Sequence, residues 1–195
     1  MPTPRAFLPA LALSTLAALA LLSSFASFAP LALGAQQDEQ RPPLLVFLVR
    51  HAEKQAGGRD PELTPAGSER AEELARMLRS AELDAVHSSD YRRTRETAAP
   101  VAASHGQEVL LYDPRDLAGL AQELKSAGGR HLVVGHSNTT PQLAKLLGGD
   151  AGAPIQEASE YDRLYVVSVS PDGAATSALL RFGTSFEEQT ATEGD

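Results

Sequence analysis

Four short, largely apolar runs, each followed by a polar stretch and then by a segment of helical periodicity, constrain this chain more than any other feature. Leu44-Leu45-Val46-Phe47-Leu48-Val49 is apolar without interruption over strand length, the mark of a strand buried on both faces. Leu83 to Val86, Glu108 to Leu111 and His131 to Val134 read as three more strands. Between them lie helix signals. Thr64-Pro65 offers an N-cap followed by a first-turn proline. Ala71, Leu74, Ala75 and Leu78 follow at helical spacing, with Glu69, Arg70, Glu72, Glu73, Arg76 and Arg79 expected on the wet face. Further helices are predicted over Tyr91 to Ser104, from an Asp116 cap to about Ser126, and over Pro141 to Leu147. Arg163 to Ser170 and Ala175 to Phe182 flank the turn Pro171-Asp172-Gly173 and read as a hairpin. This alternation predicts an α/β fold: a three-layer α/β/α sandwich with a mostly parallel central sheet and an antiparallel edge strand. Ligands bind such sheets beyond the carboxyl ends of the strands.

The first 35 residues carry one charge, Arg5, and end in Leu33-Gly34-Ala35 before the polar Gln36-Gln37-Asp38-Glu39-Gln40. They read as a signal peptide cut near Gly34 or Ala35, the alternative being an uncleaved N-terminal membrane anchor. The expectation is therefore an exported protein, periplasmic or secreted. Residues 36–43 form a linker ending in Pro-Pro, 44–186 the domain, and 187–195 a polar, frayed tail. The formal net charge is −8, and loss of Arg5 with the leader makes the remainder more negative still. A body of that sign offers no general attraction for nucleic acid, so an anionic substrate must be captured by a local cationic cluster. The chain has no cysteine, which excludes disulfides, thiolate metal sites and Cys nucleophiles.

Three polar clusters stand directly after predicted strands: Arg50-His51-Ala52-Glu53-Lys54, His87 through Thr97, and Gly135-His136-Ser137-Asn138-Thr139-Thr140. Strand ends bring such loops to one rim, where two histidines and at least two arginines converge. A guanidinium fork suits phosphate oxygens, and Asn138 with the following helix start adds donors for an anion. Taken singly, each cluster has a plainer reading. Arg50-His51 is a strand exit, His136 a loop histidine, and Arg92, Arg93 and Arg95 a solvated helix face with Glu96 as the i,i+4 partner of Arg92. His87, His105 and His131 read as structural or surface residues. Metal binding by His51 and His136 is the chemical rival, but neither shows an H-x-H or H-x-x-x-H spacing and arginine is a poor neighbour for a cation.

From about Leu45 to Val169 the chain resembles the histidine phosphatase, or phosphoglycerate mutase-like, superfamily. Leu48-Val49-Arg50-His51-Ala52-Glu53 resembles the Arg-His-Gly signature, with Ala52 in place of Gly. Leu63-Thr64-Pro65-Ala66-Gly67 resembles the "LTxxG" helix start, and Ser88 through Ala98 the "SSxxxRxxxTA" segment. Val133-Val134-Gly135-His136-Ser137-Asn138 resembles the second histidine motif. The resemblance implies that His51 is the nucleophile and that Arg50, Arg93 and His136 surround the transferred phosphoryl oxygens, with Asn138 assisting. It implies no cofactor and no metal. For the leaving-group acid, Asp113 in Tyr112-Asp113-Pro114 is a candidate, although it fits equally as a cap of the turn into Arg115-Asp116. Glu53 is a second candidate, a substrate with a good leaving group needs none, and Glu108 is expected to be a solvent-facing strand residue. The implied activity is a metal-independent phosphomonoesterase acting on a small phosphorylated substrate. A phosphohistidine protein phosphatase, a mutase, or a non-catalytic phosphate- or phosphosugar-binding module on the same fold are the alternatives.

Overall fold

The computed structural model describes residues 43–184. The expected leader, nearly all of the linker and the acidic tail lie outside the described residues. In chain order the elements are β1 (Leu44–Arg50), α1 (Pro65–Leu78), β2 (Ala85–Ser89), α2 (Arg92–Ser104), β3 (Val109–Tyr112), α3 (Leu117–Ala127), β4 (Gly129–Gly135), α4 (Thr139–Leu147), β5 (Arg163–Val169) and β6 (Ala175–Arg181). The strands form one sheet in the order β3-β2-β4-β1-β5-β6. Pairings among β1, β2, β3 and β4 are parallel, whereas β5 runs against both β1 and β6. The fold is the expected one, with the reversed direction carried by β5, one place in from the edge.

Alternation along β1 explains why both faces are covered. Leu44, Val46 and Leu48 pack with Leu120 and Leu124 of α3 and Leu143 and Leu147 of α4. Val49 joins Leu74 and Leu78 of α1 and Val101 of α2 in the opposite core. Successive strand side chains point to opposite faces, so a continuously apolar strand can feed two cores. Among the described residues no helix is long and apolar enough to cross a membrane.

Helix starts follow the sequence closely. Thr64 caps α1, its hydroxyl accepting from the Gly67 N–H at 3.0 Å, and Asp116 caps α3 through the Gly119 N–H at 2.8 Å. Gly67 has a second role: a Cβ there would stand 2.2 Å from the Glu53 carbonyl oxygen, so only glycine lets α1 approach the β1 exit this closely. In the β5–β6 turn, Gly173 takes φ +88° and Asp172 accepts from the Ala174 N–H.

Two expectations need correction. Arg70 is not on a wet face; it is 5% exposed. Its guanidinium donates to Glu53 at 2.7 Å and to the Phe182 carbonyl at 2.8 Å, because one helical turn carries it from Gly67 to the β1 exit. Glu108 precedes β3 instead of belonging to it, although it is exposed as expected. His87 and His131, expected as structural or surface residues, are structural. They are buried and share a hydrogen bond of 3.1 Å, and the other His131 nitrogen donates to the Gly128 carbonyl at 2.7 Å.

Burial, reinforced by the neighbouring His131, lowers the His87 pKa from 6.5 to about 4. The unfolded chain therefore binds a proton here before the folded one does. The associated stability is intact above about pH 6.5 and declines as pH falls towards 4. Denaturant titrations at a series of pH values should assign a loss on the order of 3 kcal/mol across that window to His87, read as the difference between the wild-type and His87→Gln proteins, at about 1.4 kcal/mol per pH unit. His87→Gln should flatten the slope, and an unchanged slope would contradict the assignment.

Candidate active site

The three clusters meet because β1, β4 and β2 are neighbours and point the same way. Arg50 lies opposite Gly135 in the β1–β4 ladder, and the His51 N–H continues it to the Gly135 carbonyl at 2.9 Å. His51 and His136 thus leave adjacent strands side by side, ring centroids 5.6 Å apart and planes inclined by 67°.

Hydrogen bonds fix the proton positions on both rings. His51 is 3% exposed, and its Nδ1 donates to the Ala52 carbonyl at 2.8 Å. Nε2 is then the unprotonated nitrogen with a lone pair to offer. Burial, with the charges of Arg50 and Arg93 adding to it, drives the His51 pKa from 6.5 to about 3 against the opposing pull of the Ala52 carbonyl. His136 Nδ1 accepts from Arg93 at 3.4 Å, since a guanidinium can only donate. Its Nε2–H therefore donates to Ser89 Oγ at 2.9 Å, which passes the chain to Thr94 Oγ1 at 3.1 Å. Burial first, then Arg93 and Arg50, lowers the His136 pKa to about 4.

The two arginines are placed differently. Arg93 stands at the start of α2, its guanidinium over the Tyr91 ring at 4.4 Å, with Asp60 at 3.7 Å. Arg50 is 2% exposed. Its terminal nitrogens donate to the carbonyls of Glu157 at 2.6 Å, Glu160 at 2.9 Å and Gln156 at 3.3 Å. The Tyr161 ring lies 4.1 Å from its central carbon. In both arginines the Nε–H is buried without a partner in the protein. Buried donors are nearly always paired, so these two are available to an acceptor brought by a ligand.

A cavity of about 500 Å³ opens over this group; its walls include His51, Lys54, Arg93, Arg115, His136 and Asn138. Asn138 precedes α4, makes no side-chain cap and lines the cavity. Asp113 does not line the cavity. It is held at 2.8 Å by Arg115, whose hydrogen bonds lower its pKa to about 2. The turn-capping alternative describes it better than the acid role, since Asp113 accepts from the Arg115 N–H at 3.0 Å. Glu53 is bound by Arg70 as described. Among the described residues no group of three His, Cys, Asp or Glu side chains stands close enough to hold a metal ion.

Sequence reasoning missed Tyr161 and Glu157, which belong to a loop without periodicity, and gave Lys54 and Tyr91 no role of their own within the clusters it named. Thr97, named there only as part of a motif, has a hydroxyl that accepts from the Ala52 N–H at 3.0 Å and donates to the Arg93 carbonyl at 2.7 Å. That residue ties the loop after β1 to the start of α2. The substituted Ala52 is wholly buried against Leu63 and Ala71, which accounts for a methyl where the motif has none.

Two outcomes test this geometry. Thr97→Val strands a buried N–H and should cost about 1–3 kcal/mol in urea denaturation; a neutral result would mean that water replaces the hydroxyl. NMR titration should find both imidazoles neutral at about pH 5, where a free imidazole is protonated. Saturating sulfate should raise the His136 pKa by offsetting the arginine charges. Titration of His51 near its ordinary value would contradict the burial argument.

Comparison with known proteins adds the following. The model of the histidine phosphatase superfamily (branch 1) matches residues 46–115. A probable phosphoglycerate mutase, GpmB of Escherichia fergusonii, is 38% identical over 79 residues, which span 37% of this chain and only 36% of that protein. The protein histidine phosphatase SixA complexed with tungstate superposes with a TM-score of 0.60 at 16% identity, over 71% of this chain and 97% of that one. A mycobacterial glucosyl-3-phosphoglycerate phosphatase does so with 0.55 at 16% identity, over 74% and 100%. Phosphoglycerate mutase from Bacillus anthracis str. Sterne gives 0.54 at 14% identity, over 80% and 99%. At these identities the structural likeness is one of fold.

Proposed function

We propose that this chain, which belongs to the histidine phosphatase superfamily, hydrolyses phosphomonoesters through a phosphohistidine on His51. The observation that carries the reading is a buried imidazole whose Nδ1–H is committed to a backbone carbonyl, standing beside two arginines with unused Nε donors. The Nε2 lone pair attacks phosphorus, and the bond to the alcohol oxygen breaks. The alcohol oxygen departs with the bonding pair and takes up a proton. Water then attacks the phosphohistidine, the N–P bond returns its electrons to Nε2, and orthophosphate and one proton leave. Each step is easier than direct displacement by water. Charge on the transferred oxygens is met by Arg93, by Arg50 through its Nε and its field, and by His136 once the incoming dianion favours its protonation.

With Asp113 and Glu53 both held by arginine, alcohols that leave without a strong acid suit this site best. Transfer to a second alcohol, as in a mutase, would use the same intermediate. Transfer to water is the reading favoured here because Lys54, Tyr91 and Asn138 leave the cavity open to solvent at its rim. We further propose that residues 1–35 direct export.

Steady-state kinetics on aryl phosphates test the proposal. His51→Ala should abolish turnover in a protein whose circular dichroism is unchanged. Arg93→Ala should lower kcat/KM on the order of 10²–10³-fold, as for loss of a preorganised oxyanion donor. Chelator should leave activity untouched and vanadate should inhibit. A folded His51→Ala enzyme that retains activity would overturn the mechanism.

A further inference from the structure

A second cavity of about 510 Å³ adjoins the first, and the two share Ser137, Asn138 and Glu157 along their common wall. Its remaining lining differs in chemistry. Pro141 comes from α4, and Ala151, Ala153, Pro154 and Ile155 come from the segment that follows it. The charged side chains here are Lys145 and Glu157, one of each sign. The first cavity, by contrast, gathers Lys54, Arg93 and Arg115 around the two histidines. Charge is therefore concentrated where a phosphoryl group would sit, and the neighbouring space is close to neutral and largely apolar.

Resting on the phosphatase reading above, we propose that this groove holds the alcohol portion of the substrate, and that the preferred substrates are monoesters of neutral, apolar alcohols of aryl size. A second carboxylate or phosphate on the alcohol gains no net attraction there, since Lys145 and Glu157 oppose each other. An aromatic or alkyl body displaces water from the proline and alanine surface, worth about 25 cal/mol per Å² of apolar area covered. The segment that forms the far wall is firmly held. The Arg163 guanidinium donates to the Ala153 carbonyl at 2.6 Å, and the Tyr165 hydroxyl donates to the Ala151 carbonyl at 3.0 Å. The groove is thus a formed surface, and its shared wall places an occupant's oxygen beside the phosphoryl cavity. Its position also separates the two cavities' effects: changes on the far wall touch the alcohol and leave the phosphoryl contacts alone.

The test compares 2-naphthyl phosphate with phenyl phosphate, whose leaving oxygens are of similar basicity. The larger ester should show a KM about tenfold lower. Ala153→Asp, which sets a carboxylate on an exposed position of the far wall, should raise the KM for 2-naphthyl phosphate about tenfold more than that for phenyl phosphate and so erase the preference. Gln142→Glu on the exposed face of α4 should do the same more weakly, and serves if the first variant misfolds. Equal KM values for the two esters, or equal losses on both in the variants, would overturn the groove assignment while leaving the phosphatase intact. If the wild-type protein turns over neither ester, binding of 2-naphthyl phosphate followed by its intrinsic fluorescence separates the two claims. Binding weakened by Ala153→Asp upholds the groove against a failed phosphatase reading, and absent or unaffected binding sinks the groove as well.

Discussion

The register of β1 on β4 is the constraint from which the site follows. With Arg50 set opposite Gly135, the next residue on each strand is a histidine, and the two rings have no choice but to meet at the sheet's carboxyl end. A slip of one residue would turn every β1 side chain to the other face, carrying the apolar set out of both cores and His51 out of register with His136. Core burial and site geometry are therefore secured by the same pairing. Gly135 matters to this pairing as well: a Cβ there would come within 2.8 Å of the Thr139 hydroxyl and 3.0 Å of the Tyr112 hydroxyl.

Concentrating positive charge in a chain of net negative sign has a cost that the surrounding loop offsets. Arg50 is dehydrated, and three carbonyls of the segment before β5, together with the Tyr161 ring, take the place of water. That segment is itself tied down by Glu160, which accepts from the Gln156 N–H at 2.9 Å and from Arg163 at 2.6 Å. Burial first, and the retained charge after it, lowers the pKa of both neighbouring imidazoles. Two buried imidazoles beside two guanidinium groups are held neutral, the state in which the proposed nucleophile His51 keeps its lone pair and from which His136 would take up a proton when an anion arrives.

Much of this architecture could be read from the chain because its signals are local. A six-residue apolar run, Thr-Pro before a periodic segment, Asp116 before Leu117 and Pro-Asp-Gly between two strand patterns each act within a few residues. The strand ends were less legible. His87, Ser88 and Ser89 look like loop residues by polarity, yet they complete β2, because β3 and β4 on either side satisfy their backbone groups. Arg70 shows the limit of periodicity. Charge assigned it to solvent, but Glu53, seventeen positions away, makes its burial favourable. Asp113 shows the converse, a loop acid with suggestive placement that its neighbour Arg115 claims. Tyr161 and Glu157 carried no pattern at all; only the tertiary path from α4 to β5 brings them to the rim.

Trapping the covalent enzyme tests the central claim most directly. Wild-type protein mixed with an aryl phosphate, quenched in alkali within one turnover and examined by peptide mass spectrometry, should carry the phosphoryl group on the imidazole of His51, in a linkage that acid then cleaves. Turnover at full rate with the label on another residue, or with none on the protein at any time within the cycle, would contradict it.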